Sequence, residues 1–301
     1  MFLIYGATVL CAGIRSILTK QNGRINGSAS LFNFLRSFSA FALFGILAFI
    51  SGFQIHYPTI LCGALYGILF YGSCFCGFRA MSRGPLSITS SLVAFSLVIP
   101  CVFGAVFLQE KITVFDIIGF VLIAGAVVMM NKKEYSASHH GFSAYHQETK
   151  ENEPKFKKGW WIYVVGTIIC DGLHAVIKTV HQRNFPSLYR YEFMCIGMLV
   201  GSIGFAFLML KNRRIIKERG KQRATKCVIY GAVAGIANGV YNYFVLYLAG
   251  KESAMALFPI VSVATIAIGL ISGWILFKER LNKMQIVGVI LAATAIFFIK
   301  I

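Results

Sequence analysis

Apolar runs long enough to cross a bilayer follow one another along the whole chain. A membrane helix needs about 20 residues to span the hydrocarbon core. Runs of that size fall near residues 2–19, 30–51, 58–79, 85–108, 113–130, 160–181, 188–210, 227–249, 253–277 and 283–299. A mostly polar stretch, Asn131 to Lys158, separates the fifth from the sixth. Composition agrees: 57% of residues are hydrophobic and only 13% charged, against about 25% charged in soluble domains. The sequence therefore predicts an all-α integral membrane protein with ten transmembrane helices, a multi-pass chain of the cell (inner or plasma) membrane. The first run reads as a span rather than a signal peptide, because no basic segment precedes it and Arg15 interrupts it.

The net charge of +18 sorts to one side of this layout. Twenty-one Lys and Arg residues fall in the odd-numbered loops and the polar linker, five on the opposite side, and three (Arg15, Arg36, Lys178) inside spans. Basic residues collect on the cytoplasmic face of membrane proteins, so both termini are expected outside. This pattern accounts for the basicity without nucleic acid, and no nucleic-acid motif accompanies it. The eight cysteines lie in or at the edge of apolar runs, where thiols serve as small packing residues. Cys74 and Cys76, two apart, point to different sides of a helix. Neither disulfide, metal nor cofactor is expected.

The two halves of the chain resemble each other. "VFLQEKITVFDIIGFVLIAGA" (Val106 to Ala126) aligns with "WILFKERLNKMQIVGVILAATA" (Trp274 to Ala295), placing Glu110 on Glu279 and Gly119 on Gly288. "GALYGI" from Gly63 aligns with "GAVAGI" from Gly231, and "CAGIRSI" from Cys11 with "CDGLHAV" from Cys170. The expected organisation is a first five-helix repeat over 1–130, a linker over 131–159 and a second repeat over 160–301. An odd number of spans per repeat forces the second copy to enter the membrane upside down. Inverted repeats of this kind underlie many secondary transporters.

The layout resembles the drug/metabolite transporter superfamily, and specifically its EamA-type family. The resemblance is carried by "GPLSITSSLVAFSLVIPCVFGAVFLQEKIT" with "IIGFVLIAGAVV", and by their twins "ESAMALFPIVSVATIAIGLISGWILFKERLN" and "IVGVILAATAIF". It implies a ten-span carrier of metabolites and leaves the substrate open.

Ionisable groups inside spans are expensive and usually mark a pathway. The sixth run holds Asp171, His174, Lys178 and His181, the first three on one helical face. Asp171 and His174 are expected to pair, Lys178 to reach toward the interface, and His181 to sit at the helix end. Asp171, His174 and Lys178 are candidates for a transport cavity, with Arg15 at the matching place in the first repeat. Asn238, Tyr241 and Asn242 share a face of the eighth run, and Tyr71 lies near the corresponding place in the third. Amides beside aromatic faces suit a small solute with polar and flat parts. Each of these groups has a structural alternative, a buried ion-pair or amide network that holds helices together. Arg36 is expected as an interfacial anchor and Glu192 occupies a comparable place. Glu110 and Glu279 are expected in structural roles at span ends. Gly63, Gly67, Gly231, Gly235 and Gly239 are read as close-packing positions.

The functional expectation is a secondary transporter moving a small anionic or zwitterionic metabolite, such as an amino acid, by alternating access. Its partners are the solute and the bilayer. A coupling proton is chemically feasible through Asp171 and His174, because histidine titrates near neutral pH. The alternatives are a membrane-embedded enzyme, for which no catalytic set is evident, and a lipid flippase. No motif fixes an oligomeric state.

Overall fold

The computed structural model describes residues 1–84, 86–110, 113–131, 157–212, 221–277 and 282–300. Among these residues the regular structure is entirely helical. The helices are α1 (Phe2–Arg24), α2 (Ala29–Ile50), α3 (Tyr57–Met81), α4 (Leu86–Ala94), α5 (Val98–Phe107), α6 (Val114–Asn131), α7 (Trp160–Asn184), α8 (Arg190–Lys211), α9 (Lys221–Ala249), α10 (Ala254–Phe277) and α11 (Lys283–Lys300). A 3₁₀ turn, Phe95–Leu97, joins α4 to α5. Eight helices are long and apolar enough to cross a membrane, counting α4 through α5 as one. The last helices of the two sequence halves, α6 and α11, have 18 residues each. At about 1.5 Å per residue they extend about 27 Å, near the roughly 30 Å of hydrocarbon. The sequence expects both to be spans. Most of the predicted linker, together with Lys111, Glu279 and Arg280, lies outside the described residues.

The described residues form two compact units, one drawn from 1–71 and 177–250, the other from 72–176 and 251–300. Two of the divisions fall within helices, in α3 after Tyr71 and in α7 after Val176, and a third follows Gly250 between α9 and α10.

In the first unit α2 packs against α8 and α9, and α1 against α9. Phe32, Phe44, Tyr66, Phe193, Met198 and Phe205 fill its interior. Close approach of two backbones explains the glycines at two places. A methyl group on Gly67 would run into the Gly197 carbonyl and the Val200 side chain of α8. One on Gly235 would meet the Arg36 carbonyl of α2. Bare backbone at these points lets helices meet without a side chain between them, which is how helices gain dispersion contact in lipid.

In the second unit α6 packs against α11, and α10 against α5 and α6. Pro100 has no N–H to give the Ser96 carbonyl four residues earlier. The chain responds with the tighter 3₁₀ turn, in which the N–H after Val98 bonds Ser96 O. Glu110, beyond α5, caps α10: its Oε1 accepts from the Ala254 N–H at 3.1 Å and its Oε2 from the Met255 N–H at 3.3 Å. A carboxylate at that end also meets the positive pole of the helix dipole. The structural role expected for Glu110 is therefore a helix cap.

Within each unit, loops assigned to one side of the membrane by their charge come together. Arg24, Asn26, Arg223 and Lys226 line one cavity of about 230 Å³ at the end of α1 and the start of α9. The Lys157 N–H donates to Arg83 O at 2.9 Å. Large apolar side chains such as Leu3, Phe49, Phe107 and Ile162 are exposed on the outer faces, as lipid contact requires.

Two alanine substitutions separate close packing from mere helix composition. Gly67→Ala should lower the detergent melting temperature, by the roughly 1–3 kcal/mol of an overpacked contact. Gly269→Ala, at a site with nothing within 4 Å of the added methyl, should leave it unchanged or raise it. Equal effects on melting would contradict the close α3–α8 contact.

Candidate functional site

The polar groups of the first unit are joined in a seam across α1, α7 and α9. Arg15 Nη1 donates to Asn238 Oδ1 at 3.2 Å, and its guanidinium lies 4.6 Å above the centre of the Tyr241 ring. One turn further along α9, Asn242 Nδ2 donates to the Asn238 carbonyl at 2.8 Å. Asn242 Oδ1 in turn accepts from Lys178 Nζ at 2.9 Å. The same ammonium lies 5.3 Å over the Tyr66 ring. Lys178, Asn238 and Asn242 are each 2% exposed or less. Lys178 thus points into the protein, contrary to its expected reach to the interface. The amide oxygens and aromatic faces offer it better electrostatics than headgroups would at this depth.

Asn238 stands at the centre of this seam. Its Oδ1 and backbone carbonyl both accept bonds, yet its Nδ2 is buried and, among the described residues, has no hydrogen-bond partner. An amide N–H in that condition costs about 1–3 kcal/mol. The arrangement gathers two cations and an idle amide donor, so it is suited to an acceptor with negative charge.

The other predicted residues lie elsewhere. Tyr71 meets Phe205 edge-on, with ring centres 5.2 Å apart, and its ring presses on Gly204 of α8. Asp171 and His174 belong to the second unit, although Lys178 on the same helix belongs to the first. Asp171 Oδ1 accepts from Ser73 Oγ at 3.2 Å and Oδ2 from Ser96 Oγ at 2.9 Å. His174 Nδ1 donates to the Asp171 carbonyl at 2.7 Å and stands 3.7 Å from Oδ1. The expected pairing exists, but its short bond is to the backbone.

His181 lies in the last turn of α7, as expected, and is fully buried. Arg190 Nε donates to Gln182 Oε1 at 2.7 Å, which turns Gln182 Nε2 toward His181 Nδ1 at 3.1 Å. Because Nδ1 accepts, His181 carries its proton on Nε2 and donates it to Thr59 Oγ1 at 3.0 Å. Thr59 in turn reaches His56 Nδ1 at 2.9 Å, and the His56 ring stacks on Tyr189 at 4.4 Å. The Thr59, His56 and Gln182 links of this chain, with Ser73 and Ser96, escaped sequence reasoning. Single hydroxyls and amides within or beside apolar runs carry no periodic signal. Arg36, expected as an interfacial anchor, instead stands 5.6 Å from the Phe70 ring centre. Glu192 is buried and accepts from the Gln54 N–H at 3.4 Å. Among the described residues no three His, Cys, Asp or Glu side chains gather as a metal ion would need.

The sequence profile of the EamA-like transporter family matches residues 1–132 and 158–301. The chain belongs to the EamA-like transporter family. It is accordingly a multi-pass membrane protein of a family whose members are transporters rather than enzymes. Among solved structures, a crystal structure of another protein matches with a TM-score of 0.71 at 11% identity, covering 98% of this chain and 94% of that one. At that identity the likeness concerns the fold alone. Comparison with curated proteins gives no match.

For this EamA-family chain, a double-mutant cycle tests the seam as a physical unit. Lys178→Met and Asn242→Leu should each destabilise the detergent-solubilised protein. The double variant should recover at least about 0.5 kcal/mol of the summed loss, since removing both partners leaves nothing unsatisfied. Strict additivity in chemical or thermal unfolding would mean that the two side chains do not interact.

Proposed function

We propose that the protein is a secondary transporter of a small metabolite bearing a carboxylate, an amino acid or a related anionic or zwitterionic solute. The observation that carries this reading is the buried, unpartnered Nδ2 of Asn238, set between Arg15 and Lys178. A carboxylate entering there would accept from the idle amide and lie near both cations. Tyr241 and Tyr66 would offer flat surfaces to the rest of the molecule. Rupture of the Arg15–Asn238 and Lys178–Asn242 bonds on solute entry would be offset by charge-assisted bonds to the solute, which are about twice as strong as neutral ones.

The mechanism in this reading is alternating access. Ten spans form two inverted repeats, 1–130 and 160–301, joined by the linker 131–159, with both termini outside. Exchange of conformation between the repeats would move the solute from one face of the membrane to the other. Joining of like-sided loops within each unit is consistent with that topology. So is the internal sequence match, which runs in the same order through both halves.

Counterflow in proteoliposomes provides the test. Vesicles preloaded with an unlabelled amino or carboxylic acid should accumulate its labelled form from outside. Arg15→Met or Lys178→Met should lower that exchange at least about tenfold, the cost of about 1.4 kcal/mol, while reconstitution into vesicles stays normal. Normal exchange in both variants would remove the seam from the pathway. Chemical alteration of the solute would identify an enzyme, and movement of labelled lipid without solute exchange would identify a flippase.

A further inference from the structure

Asp171 needs a different account from the seam. It lies near the middle of α7, and Ser96 lies near the middle of the broken helix formed by α4 and α5. The partners that the structure gives its carboxylate are Ser73 Oγ, Ser96 Oγ and the more distant His174 Nδ1. Both serines donate, one to each carboxylate oxygen. The carboxylate is nonetheless not sealed, for 39% of its side chain is exposed. A charge turned to acyl chains is costly, and an opening to water would spare it that cost. Three helices bring one carboxylate and two hydroxyls to one partly exposed place near the middle of α7.

We propose that this place binds a sodium ion. A serine that donates its one proton to the carboxylate still presents two lone pairs, so Ser73 and Ser96 can ligate a cation without leaving Asp171. The ligands are all oxygen, which suits a hard cation rather than a soft one. One carboxylate balances one positive charge, whereas divalent sites recruit further acids or phosphates. Ser96 lies in the 3₁₀ turn between α4 and α5, a local change of helix type that often marks a functional position. His174, whose Nδ1 proton is committed to the Asp171 carbonyl, orients the backbone at the site and is not a ligand. On the reading of the protein as a carrier, this ion is the coupling ion. The site itself is defined without the solute.

The test therefore needs no solute. Melting of the purified full-length protein in detergent is followed as sodium chloride replaces choline chloride at constant ionic strength, near pH 7.5. The melting temperature should rise saturably with sodium. Asp171→Asn should abolish the rise, and Ser73→Ala and Ser96→Ala should each weaken the apparent sodium affinity about tenfold, as loss of a supporting ligand does in metal sites. Ser202→Ala, whose hydroxyl bonds only its own helix, should respond as the wild type does. Equal melting of the wild type in sodium and choline overturns the proposal, as does an undiminished sodium response in the Ser73 and Ser96 variants. Should Asp171→Asn fail to fold, those serine variants decide. A melting temperature that follows pH through Asp171 and ignores sodium would assign the site to a proton instead and equally overturn it. Sodium binding with no solute exchange in proteoliposomes would leave this site standing and remove the carrier reading.

Discussion

Hydrocarbon offers a polar side chain no partner, so each one carried into the bilayer must find its bonds within the protein. This constraint organises the molecule more than any single apolar contact. Burying apolar side chains against one another gains no hydrophobic free energy over lipid tails, so dispersion packing and hydrogen bonds remain to hold the helices. The groups with most to lose are the few amides, hydroxyls and charges set in apolar helices. Arg15 with Asn238, Lys178 with Asn242, and Asp171 with Ser73 and Ser96 each join helices far apart in sequence. Glycines then allow those helices to come close enough for short side chains to meet, as Gly235 does where α9 crosses α2.

The same constraint explains why the polar sites divide as they do. One unit holds two cations, two asparagines and tyrosine faces. The other holds a carboxylate, two serines and a histidine. Low dielectric strengthens the electrostatic interactions of each set beyond their strength in water.

The general plan was legible in the sequence because it is written in length and repetition. Apolar runs of one size announce helices in a bilayer, and the "FLQEK" and "LFKER" blocks announce a repeat. The position of each helix end was less so: α1 runs on to Arg24, past the apolar run that ends near residue 19, because hydropathy is silent on polar residues that continue a helix. Arg15, Asn238, Tyr241, Lys178 and Asn242 were identified from charge and face, and they do lie together. Asp171, His174 and Lys178 share a face yet answer to different neighbours, since helical periodicity gives direction and not what stands opposite. Partners such as Ser96 were invisible for the same reason. Ser96 meets Asp171 from a helix 75 residues earlier, and no local pattern announces such a pairing.

The central claim is that the Asn238 seam becomes open to water and to solute during the working cycle. It is tested most directly by Asn238→Cys in a chain whose eight native cysteines have been replaced by alanine. Labelling by a charged, membrane-impermeant thiol reagent is then measured in reconstituted vesicles with and without candidate amino and carboxylic acids. The account predicts that position 238, although buried, is labelled at a measurable rate, and that at least one such acid slows the labelling by occupying the seam. A thiol there that never reacts while control sites in the loops do, or one whose reaction no carboxylate alters, would contradict it.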